Sequence, residues 1–237
     1  MSAETDSNSA TAISNLQQQY ADIVLLRASV QAIPYVGGPL DTLLAGRAGQ
    51  IHLKRVEKFT HDLANRLATV EAAAVNFNDE AFADLMLRAF EAVARTRSDQ
   101  KRSRFAEIIA NQIAKSTPWE EPENAVRLLS DLEEIHIEII AAALNAPISE
   151  GSFAKLRVIS LAARPIDSEK QNSPVSLLTS FPSYGIAALR MACAELVAKG
   201  LLHDEGIGRL GVGSMMYFAP TDLAEWFSGW VSQAHQE

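Results

Sequence analysis

At 237 residues the chain is long enough for one large domain or two small ones, and its hydrophobic content of 48% is ordinary for a globular protein. A formal net charge of −8 argues against a general nucleic-acid binder, because phosphates are repelled on average. The single cysteine, Cys193, excludes an internal disulfide framework and fits a reducing compartment, so we predict a cytoplasmic protein.

The N-terminal residues 1–12 are small and polar, and they lack the basic and apolar regions of a signal peptide. We predict that they form a disordered tail. No uninterrupted apolar run reaches the ~18 residues that an ordinary membrane-spanning helix needs, so none is predicted.

An apolar stretch from Ile23 to Leu44 carries only two charges, Arg27 and Asp41. Residues 34–39 interrupt it with two prolines and two glycines, which favour a tight turn between two helix ends. These ends must be buried in the protein's own core, against a partner or in a membrane. The residues of this candidate membrane or partner hairpin are Ile33, Tyr35, Val36, Leu40, Leu43 and Leu44.

Helical patterns dominate the first half, where apolar residues recur every three or four positions. The first helix is predicted from Ile13 to about Ile33, and the second from Pro39 or Leu40 to about Val75. Asn78 and Ser98 are the candidate N-caps of the third and fourth helices. Their predicted buried stripes are Phe82, Leu85, Ala89 and Val93, then Phe105, Ile108, Ile109 and Ile113. Four such helices predict an antiparallel bundle over residues 13–115.

Two prolines and two glutamates in residues 116–122 indicate a linker and a domain boundary. Beyond it, a long helix is predicted from Glu123 to Leu144 and another from Phe153 to Ala163. A third helix, Ser183 to Lys199, ends before Gly200. Its predicted inward residues are Ile186, Leu189, Cys193, Leu196 and Val197. Two short strands around a glycine-rich turn follow, and Thr221 or Asp222 caps a last helix.

This order of elements resembles bacterial winged-helix modules. The resemblance is carried by Ala-Glu-Leu-Val-Ala-Lys-Gly-Leu-Leu, which ends the third helix, and by Tyr-Phe-Ala-Pro-Thr-Asp-Leu-Ala after the turn. It implies a C-terminal winged-helix-like α+β domain over residues 123–237, so the expected fold is mainly α. Winged helices bind DNA or proteins, so the fold alone does not assign a function. The first half contains Ile33-Pro34-Tyr35-Val36-Gly37-Gly38, then a helix with Lys and Arg, then Ser98-Asp99-Gln100-Lys101-Arg102. With these segments it resembles a group of uncharacterised bacterial helical proteins, and the resemblance brings no catalytic residue with it.

The sequence offers no constellation for catalysis. Residues 206–211 match the dinucleotide pattern GxGxxG, but that chemistry needs a helix after the last glycine, and Met215 to Phe218 read as a strand. We therefore predict a hairpin loop and no cofactor. No two of the five histidines have the spacing of a helical metal site, and His136 is predicted to be a packed or capping residue. We expect no enzyme activity, no metal and no small-molecule substrate.

Basic residues cluster around the turn between the third and fourth helices, and others lie on the presumed recognition helix and wing. The candidate contacts with nucleic acid or an anionic surface are Arg95, Arg97, Lys101, Arg102, Arg104, Arg190, Lys199 and Arg209. From Asn124 onward, however, eight Lys and Arg face thirteen Asp and Glu, a net charge of −5. That balance is a poor footprint for DNA binding.

Three hypotheses about function stay open from the sequence. The first is a non-enzymatic regulatory or interaction protein, whose bundle associates with a partner or with itself as a dimer, and whose acidic winged helix binds another protein. The second is a membrane-active effector of bacterial defence that uses the apolar hairpin of residues 23–44. The third is a winged-helix transcriptional regulator that binds DNA.

Overall fold

The computed structural model describes residues 47–67, 80–115, 118–153, 155–166, 169, 172–207, 209 and 212–232. Within these residues the protein is mainly helical, with eight α-helices and a small four-stranded mixed sheet. The chain divides into two compact units, Met1–Ser130 and Asp131–Glu237. The predicted tail of residues 1–12 and the predicted hairpin of residues 23–44 lie outside the described residues.

The described helices of the first unit are α1 (Arg47–Leu67), α2 (Glu80–Arg95), α3 (Asp99–Lys115) and α4 (Glu120–Asp131). α1 packs against α2 and α3, and the rings of Phe59 and Phe90 meet edge-on with their centroids 5.7 Å apart. Ser98 caps α3 as predicted, since its Oγ accepts the amide of Lys101 at 3.1 Å. Seven residues of the predicted stripes are buried, namely Phe82, Leu85, Ala89, Val93, Phe105, Ile108 and Ile109, whereas Ile113 is half-buried.

A helix overlaps the segment 116–122 that the sequence predicts as a linker, and the division into two compact units falls between Ser130 and Asp131. Helix α4 begins at Glu120 and carries Pro122 in its first turn, where the missing amide of a proline costs no hydrogen bond. The single helix predicted for Glu123 to Leu144 is instead two helices, α4 and α5 (Glu134–Leu144). At the start of α5 the amide of Glu133 donates to Nδ1 of His136 at 2.9 Å, which confirms the capping role of this buried histidine.

The second unit combines short helices with the sheet. After α5 it contains a 3-10 helix (Gly151–Phe153), β1 (Ile159–Ser160), β2 (Val175–Ser176), α6 (Leu177–Ser180), α7 (Ile186–Ala198), β3 (Leu202–Asp204), β4 (Tyr217–Pro220) and α8 (Asp222–Val231). The strand order is β2-β1-β4-β3. β1 runs parallel to β2, and β4 runs antiparallel to both β1 and β3.

The helix predicted for Phe153 to Ala163 is wrong, because Ile159 and Ser160 form strand β1 opposite Phe218 and Tyr217 of β4. A short apolar run has no periodicity that separates a buried strand from a helix, and here the pairing with β4 decides. Two other local predictions are confirmed. Gly200 follows the end of α7 with a φ of 74°, and Thr221 caps α8 by accepting the amide of Ala224.

Candidate interaction surface

Two arginines, Arg102 after the turn between α2 and α3 and Arg55 of α1, stabilise the end of α2. Arg102 is buried, and its Nη1 donates to the carbonyls of Thr96 at 2.8 Å and Arg97 at 3.0 Å. Arg55 of α1 donates to the carbonyl of Ala94 at 2.8 Å. The last carbonyls of a helix carry partial negative charge and lack helical partners, so both guanidinium groups are well placed here. Burial, and next the charge of Arg55, lower the pKa of Arg102.

The other predicted anionic contacts at this turn are only partly at the surface. Lys101 is buried, and its Nζ donates to the carbonyl of Ser130 at 2.9 Å. Arg104 is half-buried, whereas Arg95 and Arg97 are exposed. The turn therefore presents a much weaker cationic surface than the residue count suggests, because two of the cations face inward.

In the β3–β4 hairpin, Arg209 is held against its own unit. Its Nη2 lies 2.6 Å from Oε2 of Glu205, and its Nη1 donates to the carbonyl of Ser152 at 2.9 Å. Its guanidinium lies over the ring of Phe153, 5.1 Å from the centroid. These contacts fix the side chain, so a phosphate would have to compete with a carboxylate for it.

The described residues of the GxGxxG match, Gly206, Ile207 and Arg209, lie between β3 and β4, as predicted. The buried carboxylate of Asp204 closes this loop by accepting the amides of Gly206 at 2.9 Å and Met215 at 2.8 Å. Gly206 packs so closely against Gly213 that a Cβ would overlap its carbonyl oxygen. Gly206 therefore allows the two backbone segments to approach closely. The element after this loop is strand β4, whereas a dinucleotide site needs a helix there.

The remaining predicted cations lie within helix α7 and at its C-terminal end. Nζ of Lys199 lies 3.0 Å from Oδ2 of Asp131, and 27% of its side chain is exposed. Arg190 lies in the middle of α7 and is exposed. Among the three basic residues predicted to contact DNA in the second unit, Arg190 is thus the one that faces outward without a described ion pair.

The outward side of α7 is apolar. Tyr184, Ile186 and Met191 are 39%, 45% and 63% exposed, and the exposed alanines are Ala187, Ala188, Ala194 and Ala198. We call the set of Tyr184, Ile186, Ala187, Arg190, Met191 and Ala194 the α7 outer face. The opposite side packs into the unit through Leu189, Ala192, Cys193 and Leu196.

Sequence reasoning placed Ile186 inward, but the structure exposes it. The prediction was wrong because α7 is apolar on nearly every side, so spacing alone cannot choose the buried side. A signal for an exposed surface was nevertheless present. In α7, Arg190 and Glu195 are the two charged residues, which is few for a helix that packs on one side.

His136 links α5 to α7. Because its Nδ1 accepts the amide of Glu133, the neutral ring carries its proton on Nε2. That nitrogen lies 3.0 Å from Oε2 of Glu195, whose side chain is 46% exposed. The two atoms are close without forming a hydrogen bond, and α7 itself places Glu195 beside the α7 outer face.

Cys193, on the inner side of α7, is predicted to make the second unit less stable at high pH. Burial raises the pKa of its thiol from 9.0 to about 12. Between these values the unfolded chain loses a proton that the folded chain keeps, so stability falls as the pH rises, by up to about 1.4 kcal/mol per pH unit. Urea unfolding at pH 8.5 and 10.5 should show a smaller loss for Cys193→Ala than for the wild type. An equal loss in both proteins would contradict this.

In the described part of the chain, no group of three or more His, Cys, Asp or Glu residues could hold a metal ion. None of the helices in the described ranges is long and apolar enough to cross a membrane. Comparison with known proteins finds no family model, no curated protein and no solved structure that matches this chain.

Proposed function

We propose that this is a non-enzymatic regulatory protein that acts by binding another protein through the α7 outer face. The observation that carries the proposal is the exposure of three large apolar side chains, Tyr184, Ile186 and Met191, on and beside one helix. Contiguous exposed apolar surface on a folded unit is characteristic of protein–protein contact sites. A partner that covers these side chains would remove them from water, which favours association.

The second unit is proposed to be a winged helix. The order α5, β1, α6, α7, β3, β4 supports this, and so does the position of β4 between β1 and β3, antiparallel to both. In such a domain α7 occupies the place of the recognition helix, and the β3–β4 loop is the wing. β2, parallel to β1, is an addition to that pattern.

The chemistry of this winged helix favours a protein partner over DNA. DNA recognition needs side chains that reach base edges and cations that neutralise phosphates. α7 offers Arg190 for this purpose, while Lys199 and Arg209 are engaged with carboxylates. Tyr184, Ile186 and Met191 supply apolar area and few hydrogen bonds, so they suit a protein surface better than a DNA groove.

The first unit is proposed to be an antiparallel helical bundle that supports association in the cytoplasm. The packing of α1 against α2 and α3 supports this proposal. The membrane-active alternative depends on residues 23–44, which lie outside the described ranges, and it stays a prediction.

The interaction proposal predicts that Met191→Glu abolishes partner binding without unfolding the protein. Full-length wild type and variant would serve as baits in lysate of the source organism, with bound proteins quantified by mass spectrometry. Burying a methionine is worth about 1.5–3 kcal/mol, so the variant should lose a specific partner at least about tenfold. Thermal unfolding should be unchanged, because Met191 is 63% exposed.

Ile207→Glu is the matched control, since Ile207 is 70% exposed but lies in the hairpin loop. It should retain the partner that Met191→Glu loses. Equal capture by all three baits would refute the α7 outer face as the contact surface. Fluorescence anisotropy with labelled duplex DNA at low salt should show no saturable binding. Binding that weakens on Arg190→Ala would favour the DNA-binding alternative.

A further inference from the structure

Four residues of α7 form a line of exposed apolar side chains. They are spaced by four, three and four positions, and we call them the α7 stripe: Ala187, Met191, Ala194 and Ala198. This spacing matches a heptad repeat with apolar residues at positions a and d, which is characteristic of the contact between two helices of a coiled coil. The line lies on the outer side of α7, because the buried residues are on the opposite side: Leu189, Ala192, Cys193 and Leu196.

The two charges of α7 flank the stripe on opposite sides. In the heptad that the stripe defines, Arg190 occupies position g and Glu195 position e. When two such helices pair in parallel, the g residue of one lies beside the e residue five positions further along the other, so Arg190 meets the opposite charge. An antiparallel pair would instead place g beside g and e beside e. Like charges would then face each other across the seam.

We propose that the stripe binds a second copy of this chain, with the two α7 helices parallel about a two-fold axis. The inference rests on the proposed function and names its partner. A two-fold interface requires a surface that is complementary to itself. An apolar seam between one cation and one anion meets that requirement. The side chain of Glu195 is 46% exposed beside His136, so it is accessible to Arg190 of the second copy.

The interface should be weak and reversible. α7 has 13 residues, less than two full heptads, and most of the stripe is alanine. Small interfaces of this kind belong to transient complexes. We therefore expect an equilibrium between monomer and dimer, with a dissociation constant on the order of micromolar or weaker.

Cysteine cross-linking of the full chain tests the pairing and its direction. In a parallel two-fold pair every stripe residue lies beside its own counterpart, so Ala187→Cys and Ala194→Cys should each form a disulfide-linked dimer under mild oxidation. In an antiparallel pair only a residue at the axis could do so. The native Cys193 is buried, so the wild type gives the background level of disulfide cross-linking. Ile207→Cys, also exposed but outside the stripe, is the matched control.

Sedimentation velocity tests the proposed pairing of Arg190 in one copy with Glu195 in the other. Arg190→Glu alone and Glu195→Arg alone should each weaken dimerisation at least about fivefold, whereas an equimolar mixture of the two variants should restore it, because each cation then faces an anion. A wild-type chain that is monomeric at all concentrations, cross-linking at only one position, or no recovery in the mixture would overturn the inference. If the wild-type chain is monomeric but Met191→Glu still abolishes the capture of another protein, the self-association inference is wrong and the proposed function stands. If Met191→Glu also has no effect on capture, the proposed function fails as well.

Discussion

Gly206→Ala is expected to destabilise the second unit by about 3 kcal/mol. The added Cβ would overlap the carbonyl oxygen of Gly213 and lie 2.9 Å from Cα of Ser214. Both obstacles are backbone atoms, so the loop itself must move, and the movement would disturb the two amides that Asp204 accepts. Urea unfolding followed by tryptophan fluorescence should show a lower midpoint. Trp226 and Trp230 report on this unit, with ring centroids 6.3 Å apart.

Gly229→Ala is the control for this prediction. Gly229 lies inside α8, and a Cβ there would meet nothing within 4 Å. The same chemical change should therefore stabilise the protein by about 0.5–1 kcal/mol, because alanine favours a helix. If both variants moved the midpoint in the same direction, the close approach of Gly206 to Gly213 would not contribute to the stability of the hairpin.

Arg102→Met is expected to destabilise the first unit by about 3 kcal/mol. Methionine keeps much of the length of the side chain, but it loses the hydrogen bonds to the carbonyls of Thr96 and Arg97 and the ion pair with Asp99. The carbonyls at the end of α2 would lose a charged donor, and few alternatives exist where the side chain is buried. Thermal unfolding followed by circular dichroism measures the loss.

Arg97→Met provides the comparison, because Arg97 belongs to the same turn but is exposed. Its effect on stability should stay within about 0.5 kcal/mol. If Arg102→Met left stability unchanged and instead weakened binding to anionic vesicles or DNA, Arg102 would be a surface contact, as the sequence suggested.

The parts of the fold that could be predicted from the sequence depend on local interactions. The stripe of Phe82, Leu85, Ala89 and Val93 follows the period of a helix, and periodicity is a property of neighbouring residues. The caps at Ser98 and Thr221 and the left-handed Gly200 are equally local, because each satisfies backbone groups a few residues away. The connection between β3 and β4 was predictable as a hairpin because the strand after it contradicts a dinucleotide site.

The sequence by itself thus determined the mainly helical character of the protein, the caps at Ser98 and Thr221 and the end of α7 before Gly200. Only the tertiary structure decided that Ile159 pairs with β4 as a strand, that Lys101 and Arg102 face inward and that Ile186 faces outward. A strand needs a partner that is distant in the chain, and a charge or an apolar side chain acquires its role from what covers it. Burial is therefore decided by packing between elements, which no local pattern contains.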